Sequence, residues 1–242
     1  MKAMIFAAGL GTRLRPLTDH TPKALVQLNG VALLEIAIRK LQAAGCTEFI
    51  VNVHHFAEQI EDFLQKNSNF GCRIVCSDER EKLLDTGGGL KKAAWFFDDE
   101  KPFFVVNADI ISNIDLRKMY QTHAADLEAL ATLAVQSRAS SRNFLFDEAD
   151  NKLSGWVNES TGEVRFSNIK SSPKVVWAFS GIHVCSPRIL NLLPTQNAVF
   201  SIVDAYLSIS KKNIIRAYPH DGDTMIDVGK VENLELAQKL SF

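Results

Sequence analysis

Residues 2–23 read KAMIFAAGLGTRLRPLTDHTPK. Lys2–Phe6 is an apolar run of the kind that forms a buried first strand, and the residues after it are glycines, hydroxyls and cations where a fold would usually turn at once into a helix. Successive backbone N–H groups in such a glycine-rich turn make a concave anion site, and Gly9 and Gly11 let the chain approach a ligand with no Cβ in the way. The stretch is therefore predicted to be a phosphate loop. Its spelling excludes two common kinds. The dinucleotide fingerprint needs a third glycine where Leu14 stands, and the Walker A pattern is absent.

This loop also carries the local charge. Residues 1–34 hold Lys2, Arg13, Arg15 and Lys23 against Asp19 alone, a net of +3, in a chain of 242 residues whose formal charge is −1. Without a global basic field the chain does not read as a nucleic-acid binder. With 46% hydrophobic residues it can bury a full core, as one elaborated α/β domain or as two small ones. Cys46, Cys72, Cys76 and Cys185 are scattered in apolar segments with no CxxC pair, which reads as reduced core thiols in a cytoplasmic protein. The apolar run at the N-terminus meets Gly11 and Arg13 rather than a cleavage site, so it is not a signal peptide. No segment approaches the about 18 apolar residues of a membrane span.

Outward from the loop, strands and helices alternate. Helices are predicted at Leu33–Ala44, stopped by Gly45, at Phe56–Lys66, from Asp85 through Phe97, and at Leu116–His123 with Asn113 as its cap. Further helices are expected at Ile189–Leu193, Ile202–Ile209 and Val231–Leu240, and strands at Phe49–Val53, Arg73–Cys76, Pro102–Val106, Leu130–Val135, Val175–Val184 and Ile214–Tyr218. The alternation implies an α/β fold with a mainly parallel sheet. Ser137–Phe166 breaks the pattern with two hairpin turns, at Glu148–Asn151 and Ser160–Gly162, and is expected to be a small antiparallel insertion forming one wall of a pocket.

Three further spots carry chemistry. Pro102–Val106 is an uninterrupted apolar strand that runs into Asn107, Ala108 and Asp109, and ligands in open α/β sheets sit beyond the carboxyl ends of strands. Asp85–Gly89, DTGGG, spends three glycines where a helix begins, either for a tight turn and cap or to leave backbone bare for a flat ligand. Met225–Lys230, MIDVGK, again places an Asp after apolar residues and before a glycine.

Ala7–Leu25 matches AAGxGTRLxPLTxxxPKxL at every fixed position and so resembles the opening signature of the sugar-1-phosphate nucleotidyltransferases. The likeness continues at Thr86–Gly88, at the strand ending in Asp109, at the FSGI of Phe179–Ile182 and at the DVG of Asp227–Gly229. Within that family the DTGGG spelling looks most like the N-acetylmuramate-1-phosphate uridylyltransferases of cell-wall recycling. The resemblance implies a Rossmann-like three-layer α/β/α fold in a single domain over 1–242, with a nucleotide-binding half over 1–136 and a sugar-binding half over 137–242. Relatives often add a C-terminal β-helix, and with the sequence stopping one helix after Gly229 none is expected here. It implies transfer of a nucleoside monophosphate from a nucleoside triphosphate to a sugar 1-phosphate with loss of pyrophosphate, and Mg²⁺ as cofactor.

By the same resemblance Arg13, Lys23, Asp109 and Asp227 are the catalytic residues. Arg13 offers a planar fork to the departing phosphates, Lys23 a compact charge between the two reacting phosphates, and Asp109 and Asp227 oxygens to the metal. Ala8, Gly9, Gly11, Thr12, Arg13, Thr86, Gly88 and Asn107 are the implied nucleotide contacts, with Asn107 at the ribose. Gly181 and Arg142 are the candidates on the sugar side, although close strand packing equally explains a glycine at 181. Many relatives carry a Glu-Lys pair on a strand of the sugar half. Here Leu153–Glu159 reads LSGWVNE, leaving Arg142, Lys170 or Lys174 to replace the lysine. A guanylyltransferase for mannose- or heptose-1-phosphate and a catalytically silent nucleotide-sensing subunit are the alternatives. Neither a nucleic acid nor a membrane is expected as partner, and the chain is a monomer or a homodimer.

Overall fold

A computed structural model describes residues 1–167 and 174–239. In chain order its elements are β1 (Lys2–Phe6), β2 (Gln27–Leu28), β3 (Val31–Ala32), α1 (Leu33–Ala44), β4 (Glu48–Val53), α2 (Ala57–Lys66), β5 (Arg73–Asp78), α3 (Asp85–Lys92) and β6 (Phe103–Asn107). Next come β7 (Ile110–Ser112), α4 (Leu116–Ala125), β8 (Ala129–Gln136), β9 (Arg142–Asp147), β10 (Leu153–Asn158), β11 (Glu163–Phe166) and β12 (Lys174–Cys185). The chain closes with α5 (Ile202–Ile209), β13 (Ile214–Pro219), β14 (Met225–Asp227) and α6 (Val231–Gln238).

The glycine and periodicity signals place several boundaries well. α1 buries Leu34, Ala37, Ile38 and Leu41 and ends at Gly45. Its φ of 107° there is open to glycine at no steric cost. Among the described residues the principal sheet has ten strands, in the order β11-β10-β9-β12-β6-β1-β4-β5, with β8 and β13 joined beside β12. β6, β1, β4 and β5 are mutually parallel, as is β13 with β8. Because side chains alternate across a strand, Ala3 and Ile5 pack with α1, α2 and α4 on one face, and Met4 packs with α3 and α5 on the other. Both faces are covered, which is why these strands read as unbroken apolar runs.

The antiparallel strands β9, β10 and β11 extend this same sheet. β12 is long enough to pair Lys174–Ala178 with β9 and Ile182–Cys185 with β6, so one strand splices the antiparallel region onto the parallel one. Between those stretches its register slips, and Gly181 there has φ 70°.

Local details differ from the expectations. Ile189–Leu193 lies in a 3₁₀ segment, Pro187–Leu192. α3 ends at Lys92 and gives way to a separate 3₁₀ turn at Ala94–Phe96. Residue 240, the predicted end of the last helix, lies outside the described residues. The cap of α4 is Asp115, whose side chain accepts from Lys118 N at 2.9 Å, whereas Asn113 Oδ1 accepts from Thr224 N and ties the chain to the approach to β14. Asp115→Ala is accordingly expected to cost about 1 kcal/mol in urea unfolding.

A third, small core lies under the phosphate loop. Leu14, fully buried, belongs to one cluster with Val26, Leu33, Ile111 of β7, Ile226 of β14 and Leu234 of α6. One apolar plug thus anchors the loop to the two short strands that flank Asp109 and Asp227.

Candidate active site

The loop is held by its backbone. Ala7 N donates to Asn52 Oδ1 at 2.7 Å, which turns the chain out of β1, and Gly11 takes up φ 65°. Gly11 O accepts from Leu14 N and Thr18 Oγ1, each at 2.8 Å. A Cβ on Gly11 would come within 2.9 Å of Thr18 Cγ2, while one on Gly9 would meet nothing within 4 Å. The two glycines therefore do different work: Gly11 makes the turn, and Gly9 leaves backbone open to a ligand. Thr12 and Arg13 come next, in a single 3₁₀ turn closed by Leu14.

Gly9 borders a cavity of about 430 Å³ beyond the carboxyl ends of β1 and β6. Phe6, Ala7 and Ala8 line it from the loop side, Asn107 and Asp109 from the end of β6, and Asp85 and Thr86 from the start of α3. Lys23 also reaches it and is ion-paired with Asp109.

Asp227 arrives from far along the chain through a three-residue ladder. β14 pairs antiparallel with β7, setting Asp227 opposite Ile110, and Val228 N donates to Asp109 O at 3.0 Å. Asp227 Oδ1 accepts from Gly229 N at 2.8 Å. A Cβ on Gly229 would stand 2.7 Å from Asp227 Oδ1, 3.0 Å from Arg13 Nη2 and 3.1 Å from Lys23 Nζ. The glycine of the DVG turn is the gap around which the arginine, the lysine and the acid converge. Burial, then the neighbouring Asp109 charge, pushes the Asp227 carboxyl above its ordinary range, partly offset by the Gly229 N–H and Lys23.

The three glycines of DTGGG have a packing cause that neither expected reason covers. A Cβ would fall 2.4 Å from the Phe200 ring at Gly87, 2.1 Å from Ala198 O at Gly88 and 2.8 Å from Glu79 Oε1 at Gly89. Gly87 N and Gly88 N both donate to Phe200 O, at 2.9 and 3.2 Å, so the Gly88 amide is already engaged. Thr86 Oγ1 accepts from Ile202 N at 3.0 Å, binding the start of α3 to the start of α5. Gly181 likewise faces a neighbour: a Cβ there would be 2.8 Å from Asn107 Nδ2.

A second cleft, of about 570 Å³, opens on the other side of Asp227. Arg142 lines it together with Arg138, Asn143, Trp156, Asn158, Arg165 and the first residues of α5. Lys174 is paired with Asp147, and Lys170 lies outside the described residues. Asp227 thus stands between two cavities, with Lys23 and Asp109 on its first side.

Residues 2–151 match the family model described as nucleotidyl transferase. The chain belongs to this family. The N-acetylmuramate alpha-1-phosphate uridylyltransferase of Caulobacter vibrioides is 38% identical over 77% of this chain and 76% of its own length. That of Neisseria meningitidis serogroup B is 31% identical over 100% of this chain and 98% of its own length. A mannose-1-phosphate guanyltransferase of Gibberella zeae is 40% identical, over 51% of this chain and 35% of its own length. Among solved structures, a putative glucose-1-phosphate thymidylyltransferase from Bacillus anthracis has the same fold, with a TM-score of 0.79 at 21% identity, covering 100% of this chain and 97% of its own.

This nucleotidyltransferase also contains site residues that sequence reasoning missed. Glu79, 1% exposed, accepts from Asn52 Nδ2 at 2.9 Å and from Leu84 N at 3.0 Å, so one buried carboxylate links the phosphate loop, through Asn52, to the start of α3. The signal is the amide of Asn52 interrupting the apolar FIVNV of β4, since a buried polar group needs partners. Arg138, in a polar loop of the sequence, offers no such signal. No helix among the described residues is long and apolar enough to cross a membrane.

Proposed function

We propose that this nucleotidyltransferase moves a uridylyl group from UTP to N-acetylmuramate 1-phosphate, releasing pyrophosphate. The observation that carries the reading is the convergence of Arg13, Lys23 and Asp227 about Gly229, beside Asp109 and between two cavities. Two polyanions have to meet, one from each side, and the residues at the meeting point are those that neutralise and align phosphate.

The nucleophile is an oxygen of the sugar phosphate and the electrophile the α-phosphorus of UTP. A bond forms from that oxygen to phosphorus as the bond to the pyrophosphate oxygen breaks. No general base is required, because a phosphate monoester has its second pKa near ~6 and is ionised at neutral pH. Catalysis is positioning and charge neutralisation. Lys23 places its ammonium between the α-phosphate and the incoming phosphate, and Arg13 grips the leaving pyrophosphate. Ala8 and Gly9 offer backbone to the base, and Asn107 the ribose contact.

Asp109 and Asp227 would hold Mg²⁺. Their fit to a hard cation is electrostatic: two carboxylates sit side by side, half-buried, and the charge of one raises the pKa of the other. When bound, the ion supplies charge neutralisation for the phosphates. A silent sensing subunit is disfavoured because all four residues are present and drawn together.

Pyrophosphate release with each NTP, Mg²⁺ and a panel of sugar 1-phosphates tests the assignment. UTP with N-acetylmuramate 1-phosphate is expected to give the highest kcat/KM, and EDTA to abolish it. Faster turnover with GTP than with UTP would overturn the uridylyl assignment.

A further inference from the structure

The cleft beside Asp227 is lined by three arginines and three carboxylates, Glu163, Asp204 and Asp227. Of its three arginines, Arg165 is committed. Its Nη1 donates to Asp204 Oδ1 at 2.5 Å, its Nε stands 3.5 Å from Glu163 Oε1, and its guanidinium lies 4.2 Å from the Trp156 ring centroid. Arg138 and Arg142 line the same cleft and pair with no carboxylate among the described residues.

The two are placed differently. Arg138 follows β8, spends one N–H on Phe179 O at 3.0 Å, and is near enough to Asp227 to feel its charge. Arg142 opens β9 opposite Asn158 of β10 and is exposed, with no side-chain hydrogen bond among the described residues. One cation faces the transfer point, and the other waits along the wall of the cleft.

Asn143 adds an independent observation. It is 6% exposed and lines the cleft, and its Nδ2 donates to Ser140 O at 3.1 Å, which sets the orientation of the amide. Its Oδ1 is left buried with no partner among the described residues. A desolvated acceptor without a donor is unfavourable, and a ligand N–H or O–H in the cleft would satisfy it.

We propose that the cleft selects an amino-sugar 1-phosphate bearing a second anion. Arg142 pairs with its carboxylate, Arg138 with the phosphate end, and Asn143 Oδ1 accepts from an N–H or O–H of the sugar. This rests on the sugar-1-phosphate reading above and adds the residues that choose the sugar. A sugar with one anion leaves Arg142 unused, whereas a carboxylate meets its fork in bidentate fashion.

The test compares N-acetylmuramate 1-phosphate with N-acetylglucosamine 1-phosphate, which lacks only the lactyl ether. Pyrophosphate release is measured with whichever NTP is turned over fastest, for the unaltered protein, Arg142→Gln and Arg138→Gln. The unaltered protein is expected to favour the acidic sugar in kcat/KM by about tenfold or more. Arg142→Gln is expected to lose most of that preference through KM, and Arg138→Gln to lower kcat/KM for both sugars alike. Equal use of the two sugars by the unaltered protein, or full preference retained in Arg142→Gln, would overturn the proposal. Absence of pyrophosphate with every sugar 1-phosphate and NTP would instead overturn the reading on which it rests.

Discussion

Asp109→Asn is expected to lower the maximal rate of pyrophosphate release about 10³-fold while leaving nucleotide binding within a few-fold. The asparagine keeps the shape of the side chain at the end of β6 and removes its charge, which acts in two ways. Lys23 loses the carboxylate it is paired with, so its ammonium is no longer held at the meeting point of the two cavities. The proposed Mg²⁺ site loses one of its two carboxylates, and the amide that replaces it offers a carbonyl oxygen without the negative charge. The base and ribose contacts proposed at Ala8, Gly9 and Asn107 are untouched. Equilibrium titration with UTP, set beside single-turnover rates over a range of Mg²⁺ concentrations, separates binding from transfer. Turnover within threefold of the unaltered protein would sink the assigned role.

The second large effect is on packing. In Gly88→Ala the new methyl would lie 2.1 Å from Ala198 O, a backbone atom that cannot swing aside as a side chain would. Overpacking of this kind costs about 1–3 kcal/mol, or roughly 3–10 °C of Tm for a domain of this size. The same push parts Phe200 O from the N–H groups of Gly87 and Gly88. Val199 lines the first cavity, so KM for the nucleotide should rise as well. Gly9→Ala provides the contrast, because its Cβ would enter open space. It should melt within about 2 °C of the unaltered protein and still bind nucleotide more weakly. Equal melting temperatures for the two variants would refute the packing explanation of DTGGG.

These two glycines also mark how far a sequence can be read. Gly11, Gly45 and the buried run of β1 announce themselves locally, through turn chemistry and periodicity, and the structure places those features where they were expected. That Arg13, Lys23, Asp109 and Asp227 belong to one site was legible through the spelling of motifs, whereas the ion pair of Lys23 with Asp109 was not. The reason for Gly88 was not, because it lies in a carbonyl that comes far later in the chain. Asn52 and Glu79 escaped for a related cause. A polar residue in an apolar strand looks like an irregularity until the backbone N–H groups it satisfies are known. Asn113 was expected to cap α4, but its side chain is taken by Thr224 N, and the cap falls to Asp115, two residues nearer the helix. Arg138 was hidden by its polar neighbours, since exposure alone does not tell a solvated charge from one at the mouth of a cleft.

If Asp227 acts as proposed, the three-residue ladder between β7 and β14 sets how late in its own synthesis the protein can become competent. A chain leaving the ribosome carries the phosphate loop, Lys23 and Asp109 from early on, together with the parallel strands that set their positions. The partner acid enters only with β14, and the apolar plug around Leu14 is complete only when Leu234 of α6 arrives. By the roles proposed above, a growing chain can assemble the parts that would grip a triphosphate before it owns the second of the two proposed metal-holding carboxylates, so nucleotide binding is expected to precede chemistry in the life of each molecule.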